Sequence, residues 1–346
     1  MLRSSVPPPE LHTPPLRDLL RRYAAGSALT CVPVDQGLLN RGYRLATTHG
    51  RYFLKHHFDP ETADPAAIAR QHRATQRLAD LGVPVAPPLA GRDGRTVAVI
   101  GGHAYALHPW VEGRHRHGGQ LTTEQCGRLG ALLGVVHASL ERVMPPHPQQ
   151  GRAAAAPAPS ADPADTLALI DDLLGRVRRH RPADTFDELA RRRLLERRGL
   201  LEQYADHRPP RGGSVGWVHG DFHPFNVLYK GAAPAAIVDW DRLGVQPRAE
   251  EAVRAAVIFF LRPLGTLNLP KVRAYARAYR RTARATPSEL AAAVHRVWWE
   301  RLNDFWMLRW HYERGDTRAD WQFPASSALV VWWTREYDAV CEAFSG

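Results

Sequence analysis

Between Trp217 and Asp241 the chain reads WVHGDFHPFNVLYKGAAPAAIVDWD. Two short apolar runs, Trp217-Val218 and Ala235 to Val238, each lead to an aspartate, Asp221 and Asp239, and a polar loop carrying Asn226 lies between them. An aspartate and an asparagine five residues apart on one loop can turn their oxygens toward a shared point. A second aspartate at the end of a neighbouring strand can complete the cluster. Hard oxygen ligands of this kind suit Mg²⁺. An ion held by Asn226 and Asp239 bridges phosphate oxygens, and Asp221, left unliganded, accepts a proton from an attacking hydroxyl. The spacing points to phosphoryl transfer.

Such a site needs a cation for the phosphates, and the chain offers few lysines: Lys55, Lys230 and Lys271 stand against 43 arginines. Only Lys55 precedes the acidic loop. It ends a pattern of strand, turn and strand in QGLLNRGYRLATTHGRYFLKHHF, where Tyr43 and Leu45 alternate with polar residues and His49-Gly50 turns the chain. The segment from Gly37 to Gly42 is then the loop before or at the first strand. Upstream, Leu16, Leu19, Leu20 and Tyr23 predict a short amphipathic helix. Downstream, Pro65 to Leu81 predicts a longer one, with Ile68, Thr75, Leu78 and Leu81 on one side and Gly82 and Pro84 ending it. RTVAVIGGHAYALHPWVEG predicts two strands around Gly101-Gly102. After Gly113 helices dominate. Thr122 with Gln125 forms a capping box ahead of Leu129, Leu132, Val136 and Leu140. Residues 145–165, rich in Pro and Ala, predict a mobile loop, and helical patterns follow at 166–179, 187–204 and throughout the region after Asp241.

The HGDFHPFN segment, with IVDWD following it, has the spacing of a protein-kinase catalytic loop and its metal-binding aspartate. In this form, with Gly220 after the histidine and His223-Pro224 inside the loop, it resembles the aminoglycoside phosphotransferase and choline-kinase-like family. GLLNRGYRL, YFLKHH, YALHPWVEG and LGALLGVVH occur in that family's order. The resemblance implies an α+β, bilobal protein-kinase-like fold: a nucleotide-binding lobe over 1–107, a hinge over 108–112, and a helical catalytic and substrate lobe over 113–346. It implies Asp221 as catalytic base, Asn226 and Asp239 as Mg²⁺ ligands, and Lys55 on the α- and β-phosphates of ATP or GTP. The loop from Gly37 through Asn40 to Tyr43 would cover the phosphates, and the backbone of His108, Trp110 and Val111 would meet adenine. Gln71, less readily His72, stands where the family's lysine finds a helix glutamate, and a neutral Gln71 could still hydrogen-bond Lys55. His219 would brace the loop. His223 and Asp241 would lie at the substrate side or behind the residues that touch the metal and substrate, Asp241 as a metal ligand, a substrate contact or a cap.

Other readings are weaker on the residues. His219 and His223 are four apart, but Pro224 removes the helix that zinc binding at this spacing needs. None of the three lysines follows a glycine, which excludes a Walker-type phosphate loop. The aromatic run Trp298, Trp299, Phe305, Trp306, Trp310 and Trp321 predicts helical core more than a pocket, and His137 a packing residue. The net charge of +11 could serve a nucleic acid, but the arginines interleave with leucines as on a solvated helix face, including 176–181 and 191–198. No nucleic-acid or membrane partner is expected, and oligomeric state is not legible. No apolar run approaches the ~20 residues that cross a bilayer. Cys31, Cys126 and Cys341 form no paired framework. A cytoplasmic protein is expected.

The expected partner is a small-molecule hydroxyl acceptor. Past Asp241, 16 Arg or Lys face 11 Asp or Glu, a poor setting for a polycationic aminoglycoside. An antibiotic of aminoglycoside or nucleoside/sugar type is the first expectation. A homoserine- or choline-type metabolic kinase is the alternative, and a nucleotide-binding pseudokinase scaffold the alternative of another class.

Overall fold

The structure is a computed structural model, and it describes residues 14–34, 40–58, 63–144, 160–210 and 214–346. Gly37 and positions 145–159 lie outside the described residues.

The chain opens with α1 (Leu16–Tyr23), then β1 (Ala28–Val34), β2 (Arg41–Thr47), β3 (Gly50–His57), α2 (Pro65–Asp80), β4 (Ala98–Ile100) and β5 (His103–Pro109). The five strands form one antiparallel sheet in the order β1-β2-β3-β5-β4. Period-two alternation decides what each face carries. Tyr43 pairs across the sheet with Leu54, and Gly42 with Lys55. Tyr43, Leu45, Leu54 and Leu107 therefore share the face that packs on Leu19, Leu20 and Tyr23 of α1. Lys55 and His57 point to the opposite face, on the α2 side, where Ile68 packs on Val97 and Ala104. α2 starts cleanly because Asp64 accepts from the Ala66 and Ala67 N–H groups and Pro65 occupies the first turn. Leu81, expected on its buried side, instead caps the helix and is exposed.

The second half begins with β6 (Arg114–His115), α3 (Thr123–Val143), α4 (Pro163–Arg179), α5 (Thr185–Gln203), β7 (Val215–Val218), β8 (Val227–Lys230), β9 (Ala233–Ile237) and β10 (Gly244–Pro247). It ends in α6 (Arg248–Phe260), α7 (Leu269–Ala283), α8 (Pro287–Asn303), α9 (Trp306–Arg309), a π-turn (Trp310–Arg314), α10 (Phe323–Arg335) and α11 (Tyr337–Ser345). Thr122 and Gln125 form the expected capping box of α3. The helices α3 and α7 pack so closely that a Cβ on Gly130 would strike the Tyr275 carbonyl. Short strands carry the polar loop: β8 pairs with β9, and β10 with β7.

Several expectations shift. Pro163 to Asp165, placed in the mobile loop, form the first turn of α4, capped by Asp162. β1 and β10 carried no signal read above. The second strand around Gly101-Gly102 does run to His108 and Pro109, as its sequence predicts. Trp298 and Trp299 are core, but Trp321 is exposed. Arg197 is not on a solvated face. It is buried, donates to the carbonyls of Arg301 and Leu302, and stacks its guanidinium on Phe305; burial lowers its pKa to about 10. Among the described residues no helix is long and apolar enough to cross a membrane.

Between α2 and the sheet three imidazoles meet, His72 of α2 with His57 of β3 and His108 of β5, at ring centroid distances of 6.5 Å and 5.6 Å. Burial is the main cause that lowers their pKa values, to about 2 for His57, about 3 for His72 and about 4 for His108. All three are neutral in the folded protein. In the unfolded chain they titrate near ~6.5. The stability they provide is complete above that value and drains away as pH falls toward the folded values, with a slope of up to about 4 kcal/mol per pH unit for the three. Urea unfolding at pH 7 and pH 5 should show a much lower midpoint at pH 5, and His72→Gln should flatten the difference. Equal midpoints would mean that the imidazoles are solvated.

Candidate active site

The loop between β7 and β8 is held from behind. His219 is fully buried, donates through Nε2 to the Val238 carbonyl at 3.0 Å and accepts the Asp221 N–H on Nδ1 at 3.2 Å. Burial lowers its pKa, so it is the neutral imidazole that can do both. Gly220 has φ +85°, and a Cβ there would strike the Arg242 carbonyl, so only glycine fits this turn.

Glu251 of α6, which the sequence reading missed, closes the support. It accepts from the N–H groups of His219 and Gly220 and meets His137 Nε2 at 2.6 Å. His137 is fixed in turn by Tyr279 at 3.0 Å. Burial alone would raise the Glu251 carboxyl; the hydrogen bond and charge of His137, with His219, outweigh it and leave it below the ordinary glutamate value. Glu251→Ala strands three buried donors. It is expected to cost about 3 kcal/mol or more, read by urea unfolding, with Glu251→Gln costing less.

Asp221 and Asn226 are brought together as their spacing predicts. Asn226 Nδ2 donates to the Asp221 carbonyl at 2.8 Å and lies 3.4 Å from Asp221 Oδ2, leaving its own oxygen for another partner. His223 Nε2 also lies 3.4 Å from Oδ2. Burial would raise the Asp221 carboxyl, but the hydrogen bond from His223 and the charges of His223 and Arg242 outweigh it, so it is a carboxylate at neutral pH.

In the segment IVDWD, Trp240 is buried and anchored through Nε1 to the Ile237 carbonyl at 3.1 Å. Asp239 turns in the left-handed region, φ +61°, which aspartate tolerates better than most residues. Both carboxylates meet Lys55: Nζ lies 2.6 Å from Asp239 Oδ1 and 2.7 Å from Asp241 Oδ2. Burial opposes the Lys55 charge, but the two carboxylates prevail and raise its pKa, so it stays an ammonium. Burial raises the Asp239 carboxyl less than Lys55 lowers it, and it is ionised. Asp241 is raised, by burial first and by the Asp239 charge, against the pull of Lys55.

Asp241 is also where the first lobe fastens. Asn40 Nδ2 donates to its Oδ2 at 2.5 Å while Asn40 Oδ1 accepts the Phe58 N–H, and Gln71 Nε2 donates to its carbonyl at 2.8 Å. Gln71 therefore acts on the main chain of Asp241 rather than on Lys55. Tyr43 is displaced from its expected place over the phosphates: it is in the core on the face away from Lys55. The His108 ring bonds the Ala86 carbonyl at 2.9 Å, and the Trp110 N–H is already donated to Arg51. Val111 follows in irregular chain.

The donor set fits Mg²⁺: the Asp239 carboxylate, 45% exposed beside the loop, and the Asn226 carboxamide are both hard oxygen donors. Asp221 would stay outside that set.

The chain is similar in sequence and fold to known kinases. A homoserine kinase of Bartonella tribocorum is 28% identical over 128 residues, 37% of this chain and 39% of that protein. The chain thus spans little more than a third of the length of that curated relative. An amicoumacin kinase solved with AMP-PNP and Ca²⁺ superposes with a TM-score of 0.59 at 17% identity, covering 93% of this chain and 91% of that one. A spectinomycin phosphotransferase solved with ADP and spectinomycin gives 0.62 at 14%, covering 95% and 96%. These two show a shared fold. The family model for the phosphotransferase enzyme family matches residues 30–285, and the chain belongs to that family.

Proposed function

We propose that this protein transfers the γ-phosphoryl group of ATP or GTP to a hydroxyl of a small molecule. The observation that carries the reading is the convergence of Asp221, Asn226, Asp239 and Lys55 from three separate segments: Asn226 bonds Asp221, its carbonyl accepts the Val238 N–H beside Asp239, and Asp239 meets Lys55. Bound there, Mg²⁺ would neutralise charge on the phosphate oxygens. Asp239 and Asn226 would hold it. Lys55, now shared between two carboxylates, would turn its ammonium to the phosphates, and Asn40 and Gln71 would keep Asp241 in place as it does so. Asp221 presents Oδ1, which has no hydrogen bond among the described residues, to the acceptor. It takes the hydroxyl proton as the acceptor oxygen bonds to the γ-phosphorus and the bond to the β-phosphate oxygen breaks, releasing the nucleoside diphosphate. Retention of all four groups speaks against a scaffold that only binds nucleotide.

Arg242 is exposed, follows Asp241 directly and lowers the Asp221 carboxyl. A guanidinium at this edge repels a polycation and accepts a neutral, zwitterionic or anionic acceptor. Nucleoside- or sugar-type antibiotics fall in that class. So do homoserine-type amino acids, the second reading, which the identity to a homoserine kinase favours. Incubation with Mg-ATP or Mg-GTP and a panel of antibiotics, sugars, homoserine and choline, read by mass spectrometry, tests both. A phosphoryl mass gain with wild type and none with Asp221→Ala names the acceptor. Nucleotide binding without transfer to any hydroxyl would return the scaffold reading.

A further inference from the structure

The helical lobe contains a second cluster of metal-ligating side chains, to which no cleft residue belongs. His180 follows α4, Asp187 lies in the first turn of α5, and His311 lies in the π-turn (Trp310–Arg314). One nitrogen or oxygen from each falls within 4.8 Å of the other two. We propose that His180, Asp187 and His311 form a zinc-binding site that ties the α4–α5 hairpin to the π-turn.

The geometry fits the ion. Zinc bound to imidazole nitrogen and carboxylate oxygen at about 2.0–2.1 Å with tetrahedral angles spaces its donor atoms about 3.3 Å apart. His180 Nδ1 and Asp187 Oδ2 are 2.9 Å apart. Two imidazoles on one such ion have ring centroids roughly 5 Å apart, and those of His180 and His311 are 5.5 Å apart at 72°. Two imidazoles and a carboxylate are a borderline nitrogen and oxygen set, suited to zinc and poor for Mg²⁺.

The surroundings supply what metal ligands need behind them. A ligating histidine donates its other ring N–H to a carboxylate, which fixes the ring and its tautomer. His311 Nδ1 meets Asp320 Oδ2 at 2.7 Å, and the ring stacks on Phe186 at 4.3 Å. Its Nε2 has no hydrogen bond among the described residues, although the side chain is only 7% exposed. Asp187 is oriented by the Tyr312 hydroxyl at 2.7 Å and the Asp184 N–H at 3.0 Å. An ion between His180 and Asp187 replaces the hydrogen they share, and the imidazole carries its proton on Nε2. The carboxylates of Asp187 and Asp320 balance the charge of the ion, and a water completes four-coordination. The π-turn is what brings the ring in: the wider backbone turn between Trp310 and Arg314 places His311 and Tyr312 against the same acidic residue.

The test uses tag-free, chelator-treated protein titrated with Co²⁺ in millimolar Mg²⁺, which keeps the cleft oxygens occupied. One equivalent of Co²⁺ should develop the visible bands of tetrahedral cobalt, and Zn²⁺ should displace it and raise Tm. His180→Gln, at a half-exposed position, should weaken binding roughly 10–100-fold or more and abolish the Tm rise. His311→Gln should do the same, while Asp239→Asn, altered only in the cleft, should keep the bands. Absence of bands in the wild type, or bands that persist in His180→Gln, would overturn the proposal and leave a plain hydrogen-bonded network.

Discussion

Replacing Asp221 by alanine is expected to lower kcat roughly 10²–10⁴-fold while Mg-nucleotide affinity stays within a few-fold. The separation follows from the contacts. Among the described residues the Asp221 side chain bonds only His223 Nε2 and Asn226 Nδ2, both at 3.4 Å, whereas Asn226 is held at 2.8 Å by the main-chain carbonyl, which alanine retains. The side-chain oxygen of Asn226, the proposed metal donor, therefore keeps its aim. The loop also keeps its own supports, since Glu251 and Val238 bind His219 and Gly220 rather than Asp221. Stopped-flow nucleotide binding beside steady-state turnover measures the two effects separately. A variant that loses nucleotide affinity as much as turnover would place Asp221 among the metal ligands instead.

The second large effect is expected at Asp239. Asparagine is the informative substitution because it tolerates the left-handed backbone at φ +61° and keeps the shape of the side chain while removing its charge. Turnover should fall on the order of 10²-fold or more, and the Mg²⁺ concentration for half-maximal activity should rise. Lys55 keeps one carboxylate, Asp241 at 2.7 Å, so the fold should survive the change. The wild-type Asp239 carboxyl is depressed because Lys55 outweighs its burial, so it is a charged ligand at neutral pH and its charge is what the asparagine removes. Metal dependence unchanged in Asp239→Asn would show that the ion is held elsewhere, Asp241 being the next carboxylate in the cleft.

Lys55 links these two outcomes. It is shared by two carboxylates on the acidic segment, and the same segment is fastened to the first lobe through Asn40 and Gln71. Under the proposed function, binding of a polyphosphate here would exchange ion pairs rather than create a charge site in isolation. Nucleotide affinity should accordingly depend on how firmly Asp241 is held as well as on Lys55.

The chemistry was legible in the sequence because it is local. Asp221 and Asn226 lie on one loop five residues apart, Asp239 ends the adjoining strand segment, and backbone geometry alone limits where such neighbours can point. The same holds for the α3 capping box and for the alternation that made strands of the segments around Lys55. Tertiary structure decided which face and which partner each residue received. Tyr43 looked like part of the phosphate loop, but its register opposite Leu54 put it in the core, since a one-residue change of parity moves a side chain through the sheet. Gln71 stands on the expected helix, yet whether it reaches Lys55 or the Asp241 carbonyl depends on how that helix sits against the other lobe. Glu251 and His311 gave no signal because their partners, His137 of α3 and Asp187 of α5, lie far away along the chain. Periodicity records which side of an element is buried. It carries no information about what that side will meet, because the packing of whole elements sets those contacts.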